Sequence, residues 1–150
     1  MNIWIVEDDY YQAAWIEEVV SKHFPGAAIK IVRTELEFWK VVDGDADRPD
    51  VVILDVILPW TAPSRNMEPP PDEVKANGRS RAGIRCARKL AENPRTRHVP
   101  VILYTVLDRQ DLEISDMMDL ADRGIAPVYL SKQSDPAPLV KMIQRVQSGY

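Results

Sequence analysis

A chain of 150 residues, 45% hydrophobic and 28% charged, is sized and composed for one domain that buries about two thirds of its unfolded surface. Its formal net charge of −4 argues against a nucleic-acid or anionic-membrane partner, and its single cysteine, Cys86, excludes an intrachain disulfide and suits a reducing compartment. No apolar run reaches membrane-spanning length, and Ile3-Trp4-Ile5-Val6 passes straight into Glu7-Asp8-Asp9 without a secretory core, so the expected setting is the cytoplasm.

Ile3 to Val6 reads as a short strand. Asp8 or Asp9 caps the helix that follows, in which Ile16, Val19, Val20 and Phe24 recur at helical spacing until Pro25-Gly26 ends it. Ala28 to Val32 is a second strand, and Thr34 caps a second helix with Phe38, Val41 and Val42 facing inward. Gly44 to Pro49 is a polar turn. The third apolar run, Val51 to Pro59, is interrupted by Asp55. A carboxylate inside a strand buried on both faces is costly unless paired or metal-bound, so Asp55 belongs at the strand's carboxyl end. From Trp60 to Ser80 no periodicity is sustained, and Pro69-Pro70-Pro71 favours extended chain, which predicts a loop. Helical spacing resumes at Gly83 with Ile84, Ala87 and Ala91, and Asn93-Pro94 stops it. Val99 to Tyr104 is a fourth strand, ending at Thr105. Asp108 or Asp111 caps the next helix, with Ile114, Met117, Met118 and Ala121 on one face and Gly124 closing it. Val128-Tyr129-Leu130 is a fifth strand, ending at Ser131-Lys132, and Asp135-Pro136 starts a last helix with Leu139, Met142, Ile143 and Val146 inward. Five strand-then-helix units without an internal repeat predict a doubly wound, open parallel α/β sheet with helices on both faces.

In such a sheet the strand ends open on one edge, which gathers Glu7, Asp8, Asp55, Thr105 and Lys132. Read singly, the acids are first-turn residues favoured by a helix dipole, Thr105 is a strand end and Lys132 a solvated lysine. Together they read as a site. Three carboxylates repel one another unless a cation neutralises them, and oxygen donors without His or Cys suit Mg²⁺. Lys132 and Thr105 then supply a charge and a hydroxyl to an anion at the metal, most simply a phosphoryl group.

Four stretches, Ile5-Val6-Glu7-Asp8-Asp9, Val52-Ile53-Leu54-Asp55-Val56-Ile57-Leu58-Pro59, Val101-Ile102-Leu103-Tyr104-Thr105 and Tyr129-Leu130-Ser131-Lys132, resemble in order and spacing the receiver domain of two-component response regulators. The resemblance covers the chain apart from the loop. It implies a flavodoxin-like (βα)5 fold with strand order 2-1-3-4-5, as a single receiver domain over 1–150. It implies that Asp55 is the phosphoacceptor, attacking the phosphohistidine of a histidine kinase or phosphotransfer protein. Asp8, Asp55 and the Ile57 backbone carbonyl would hold Mg²⁺, with Glu7 acting through water. Lys132 would pair with the phosphoryl group, Thr105 would move to donate to it, and Tyr129 would change rotamer as Thr105 moves. The chemistry is Mg²⁺-dependent self-phosphorylation and autodephosphorylation only, not turnover of a substrate. The output is a conformational shift that controls binding to a downstream protein, or to a second copy as a homodimer.

Two departures from the family stand out. A proline-rich insertion at about 60–82 separates Pro59 from Gly83, read as a partner-docking or disordered segment, with Trp60 placed to cover the site. Gln133 follows the lysine where the family commonly has proline. The basic stretch Arg79, Arg81, Arg85, Arg88, Lys89, Arg95 and Arg97 reads as a solvated helix face or a dock for an acidic partner rather than a nucleic-acid face. Ile57, Val106 and Leu107 give the site entrance an aliphatic rim with no group to orient an attacking water, which predicts slow hydrolysis. The competing reading is a phosphorylation-independent interaction module that binds through the inserted loop. A flavodoxin-like cofactor binder ranks last, because Glu7-Asp8-Asp9 would repel its phosphate.

Overall fold

Alternation along the first strand sets the architecture. In β1 (Asn2–Val6), Ile3 and Ile5 point to one face and Trp4 and Val6 to the other, and all four are buried, as a strand covered on both sides requires. The computed structural model describes residues 1–44 and 47–149. β1 pairs in parallel with β2 (Ala28–Val32) and β3 (Val51–Leu54); β3 pairs with β4 (Val101–Thr105), and β4 with β5 (Val128–Ser131). The order β2-β1-β3-β4-β5 is the one the resemblance implied. Helices α1 (Tyr10–His23) and α6 (Ala137–Gln147) bring Ile16, Val20, Leu139 and Ile143 onto the face of Ile3, Ile5, Ile53 and Ile102. Helices α2 (Glu35–Asp43), α4 (Ala82–Glu92) and α5 (Ile114–Asp122) bring Phe38, Ala87, Leu90 and Leu120 onto the face of Trp4, Leu54 and Leu103. No helix among the described residues is long and apolar enough to cross a membrane.

Local signals explain most boundaries. Asp9 caps α1 by accepting from the Gln12 amide at 3.0 Å, and Thr34 caps α2 by accepting from Glu37 at 3.2 Å. Gly124, at φ +86, closes α5 in the left-handed region that favours glycine. Asp108 caps a separate 3-10 turn, Arg109–Asp111, and α5 starts after it at Ile114 without a side-chain cap. Of the expected turn from Gly44 to Pro49, Asp45 and Ala46 lie outside the described residues.

The insertion is not the structureless loop its composition predicts. Helix α3 (Asp72–Asn77) and a 3-10 turn, Arg79–Arg81, form within it. Pro71 precedes α3, Asp72 and Glu73 meet the positive end of its dipole, and Gly78 at φ +69 ends it. A helix this short is not stable alone. Tertiary contacts hold it: Val74 is buried, Glu73 accepts from Arg88, and the Arg85 guanidinium donates to the Gly78 carbonyl at 2.8 Å. The start of the insertion is also anchored, since the Glu35 and Leu36 amides of α2 donate to the carbonyls of Pro59 and Trp60, both at 3.0 Å. Trp60 consequently turns away from the carboxylate edge. Its ring meets Trp39 edge-on at 5.1 Å between centroids, and its indole donates to the Glu68 carbonyl at 3.1 Å, so it packs against α2 instead of covering the site.

The basic stretch also reads differently once folded. Arg85 is buried and forms a two-pronged pair with buried Glu35, Nε to Oε2 at 2.8 Å and Nη2 to Oε1 at 2.7 Å. Arg81 pairs with Asp116 and Glu113, Arg88 with Glu73 and Asp119, and Lys89 with Asp43. These charges tie α2, α3, α4 and α5 together in place of a free basic face. Cys86 packs in the core as expected, and burial pushes its thiol pKa up.

Truncating one member of a buried ion pair leaves the other uncompensated. Arg85→Met is expected to lower unfolding free energy by about 3–5 kcal/mol in urea titrations. The double variant Glu35→Leu/Arg85→Met is expected to recover much of that loss.

Candidate functional site

The sheet's hydrogen bonding runs one residue past the strands and fixes the backbone of the site. The Glu7 amide donates to Val32 at 2.9 Å, the Asp55 amide to Val6 at 3.0 Å, and the Lys132 amide to Thr105 at 2.9 Å. The side chains at these strand ends meet. Lys132 Nζ donates to Glu7 Oε1 at 2.7 Å and to Asp55 Oδ2 at 3.0 Å. Carboxylate oxygens of Glu7, Asp8 and Asp55 lie within 4.8 Å of one another. Asp55 Oδ1 also accepts from the Ile57 amide at 3.3 Å. Gly83 packs against the backbone of Asp55 and Val56: its amide donates to the Val56 carbonyl at 2.8 Å, and a Cβ there would lie 2.3 Å from the Asp55 carbonyl oxygen. Helix α4 can approach this backbone only through a glycine.

Electrostatics single out Glu7 and Lys132 within the cluster. Burial first, and a hydrogen bond with Asp55 second, raise the Glu7 pKa from 4.5 to about 8. Burial acts to lower the Lys132 pKa, but its hydrogen bond to Glu7 and the charge of Asp55 outweigh that, and the net shift is upward. Lys132 is shared between two of the three acids, Glu7 and Asp55. Glu7 is only 2% exposed, and its Oε2 is buried with no hydrogen-bond partner. An unpartnered carboxylate oxygen in a cluster of hard oxygen donors fits a divalent cation such as Mg²⁺.

The remaining sequence-predicted residues lie on β4 and β5. Thr105 ends β4 fully buried, its hydroxyl accepting from the Leu107 amide at 3.3 Å. Tyr129 is half-buried on β5, and its hydroxyl donates to the Leu107 carbonyl, so it grips the segment that follows Thr105 without touching the carboxylates. The described peptide bonds, including that before Gln133, are trans. One contact has no sign in the sequence. Arg79 of the insertion reaches Asp8, Nη2 to Oδ2 at 3.6 Å, an approach that only the folding of the insertion produces.

No family model and no curated protein sequence matches this chain. Solved structures do. The receiver domain of sensor histidine kinase PA1611 from Pseudomonas aeruginosa PAO1, with magnesium coordinated in its active site cleft, aligns at TM-score 0.68 and 20% identity over 98% of this chain and 97% of that one. The signal receiver domain of a signal transduction histidine kinase from Syntrophus aciditrophicus aligns at TM-score 0.67 and 24% identity over 99% and 90%. The N-terminal domain of a response regulator/sensory box/GGDEF protein from Carboxydothermus hydrogenoformans aligns at TM-score 0.69 and 19% identity over 100% and 96%. This chain has the receiver fold. At these identities the likeness establishes architecture, and the chemistry of this receiver fold rests on its own residues.

The raised Glu7 pKa gives a pH dependence with a defined sign. Between about pH 4.5 and 8 the folded metal-free chain retains a proton that the unfolded chain releases, so the group lowers stability as pH rises through this window. Glu7→Gln removes that proton linkage. Its melting temperature relative to wild type is expected to increase from pH 5 to about pH 8 in metal-free buffer, measured by calorimetry.

Proposed function

We propose that this chain is a phosphoacceptor receiver of a two-component phosphorelay, in which Asp55 takes a phosphoryl group from the phosphohistidine of a sensor kinase or phosphotransfer protein. One observation carries the reading: a buried Asp55 carboxylate bonded to Lys132 Nζ, clustered with Glu7 and Asp8 at the carboxyl edge of a receiver fold. Asp8, Asp55 and the Ile57 carbonyl, with Glu7 beside them, would hold Mg²⁺. When bound, the metal offsets the repulsion between carboxylate and phosphoryl oxygens.

The chain's own groups supply the rest. An Asp55 carboxylate oxygen attacks phosphorus, the phosphorus–nitrogen bond breaks, and its electron pair returns to the imidazole of the donor, leaving an aspartyl phosphate. Lys132, which bridges Glu7 and Asp55 beforehand, follows the negative charge onto the phosphoryl oxygens. The Thr105 hydroxyl gives up its bond from the Leu107 amide and donates to the phosphoryl group. Because Tyr129 holds the Leu107 carbonyl, that movement of 105–107 is felt on β5. The phosphoryl group thus biases an equilibrium between two surface states, which controls binding to a partner protein or to a second copy. Action in the cytoplasm, and chemistry limited to self-phosphorylation and autodephosphorylation, belong to the same reading.

The alternative is a phosphorylation-independent interaction module built on the insertion, and the anchoring of α3 to α4 through Arg88 and Arg85 favours a defined surface there. Acetyl phosphate with Mg²⁺ separates the two. A phosphoreceiver is expected to gain the mass of one phosphoryl group, and Asp55→Asn to gain none; no gain in the wild type would favour the interaction module. Val106 is exposed at the entrance, and neither it nor Ile57 nor Leu107 orients a water. The aspartyl phosphate is therefore expected to persist for minutes or longer after donor removal, and a lifetime of seconds contradicts this.

A further inference from the structure

The insertion sends a cation to the carboxylate edge. Gly78, at φ +69, turns the chain out of α3, and its carbonyl is held by the buried Arg85 guanidinium at 2.8 Å. The next carbonyl, that of Arg79, accepts from the Leu58 amide at 3.2 Å, four residues past the end of β3. Residue 79 is therefore fixed on both sides, and its side chain leaves this fixed backbone toward Asp8, Nη2 lying 3.6 Å from Oδ2. The ion pairs of Lys132 are with Glu7 and Asp55. Each acid of the cluster accordingly has a protein cation beside it, and the cation at Asp8 is Arg79.

We propose that Arg79 is a displaceable counter-ion delivered by the insertion, which occupies Asp8 until a divalent cation takes that carboxylate and so sets the metal affinity of the site. This rests on the divalent-cation reading above. The physical reason is competition: Asp8 cannot lend full charge to both partners, and a guanidinium held beside the cluster repels an incoming divalent ion. Arg79 is 63% exposed, so the effect is of modest size, sensitive to salt, and carried by one side chain whose removal leaves the fold intact. By linkage, metal binding in turn releases the Arg79 side chain from Asp8.

Calorimetric titration of Mg²⁺ into the full chain tests this, using wild type, Arg79→Gln, Arg79→Lys and the control Arg65→Gln, which removes the same charge elsewhere in the insertion. Arg79→Gln is expected to bind Mg²⁺ roughly two- to five-fold tighter than wild type, the range an exposed ion pair supports, with the difference shrinking as salt rises. Arg79→Lys is expected to return toward wild type, and Arg65→Gln to match it. Equal or weaker binding by Arg79→Gln, or an equal gain in Arg65→Gln, overturns the proposal while leaving the metal site standing. Absence of Mg²⁺ binding in every protein overturns the site reading and this proposal together.

Discussion

Repulsion among three carboxylates at one sheet edge is the constraint on which the arrangement depends. Glu7, Asp8 and Asp55 have oxygens within 4.8 Å of one another, and the sheet fixes the backbone of Glu7 and Asp55, whose amides are part of its hydrogen bonding. Lys132 relieves part of that repulsion by bridging two of the acids, while burial first, and the hydrogen bond with Asp55 second, raises the pKa of Glu7. A site in this condition is poised to take a cation. Its stored repulsion is released when positive charge arrives, which is how burial and like charge prepare a centre for chemistry.

The opposite face of the same edge is organised by a second electrostatic device, the buried pair of Glu35 and Arg85. Two buried charges are tolerated because their geometry is two-pronged and because Arg85 also satisfies the Gly78 carbonyl. That one guanidinium joins α2, α4 and the insertion. It converts a proline-rich segment, which has too little apolar surface to fold by itself, into a short helix and a turn with fixed positions. The insertion is thereby a structural part of the site's surroundings and places Arg79 near Asp8.

Close packing supplies the third element. Helix α4 starts against the backbone of Asp55 and Val56, and Gly83 is the residue that permits it. Asp55 is therefore held between the β1 ladder on one side and a helix start on the other. Thr105 and Tyr129 sit differently: both engage the backbone of Leu107, in the segment that follows β4.

The strands, the five main helices, the strand ends and the convergence of Glu7, Asp8, Asp55 and Lys132 were legible in the sequence, because they follow from local rules. Short apolar runs bounded by turn signals mark strands, helical spacing marks buried faces, Asp9 and Thr34 announce helix starts, and a parallel sheet brings its carboxyl ends together. The strand order came from resemblance, since no local rule orders parallel strands. The insertion was misread where the deciding contacts are distant: α3 is too short to show a period, and what holds it is Arg85, Arg88 and the buried Val74. Trp60 turned to Trp39 for the same reason, and Arg81, Arg85, Arg88 and Lys89 of the basic stretch found acids on other helices. Periodicity and caps act between neighbours in the chain and can be read along it. Ion pairs spanning 35 or 50 residues exist only once the core has brought their helices together, and tertiary structure alone decided them.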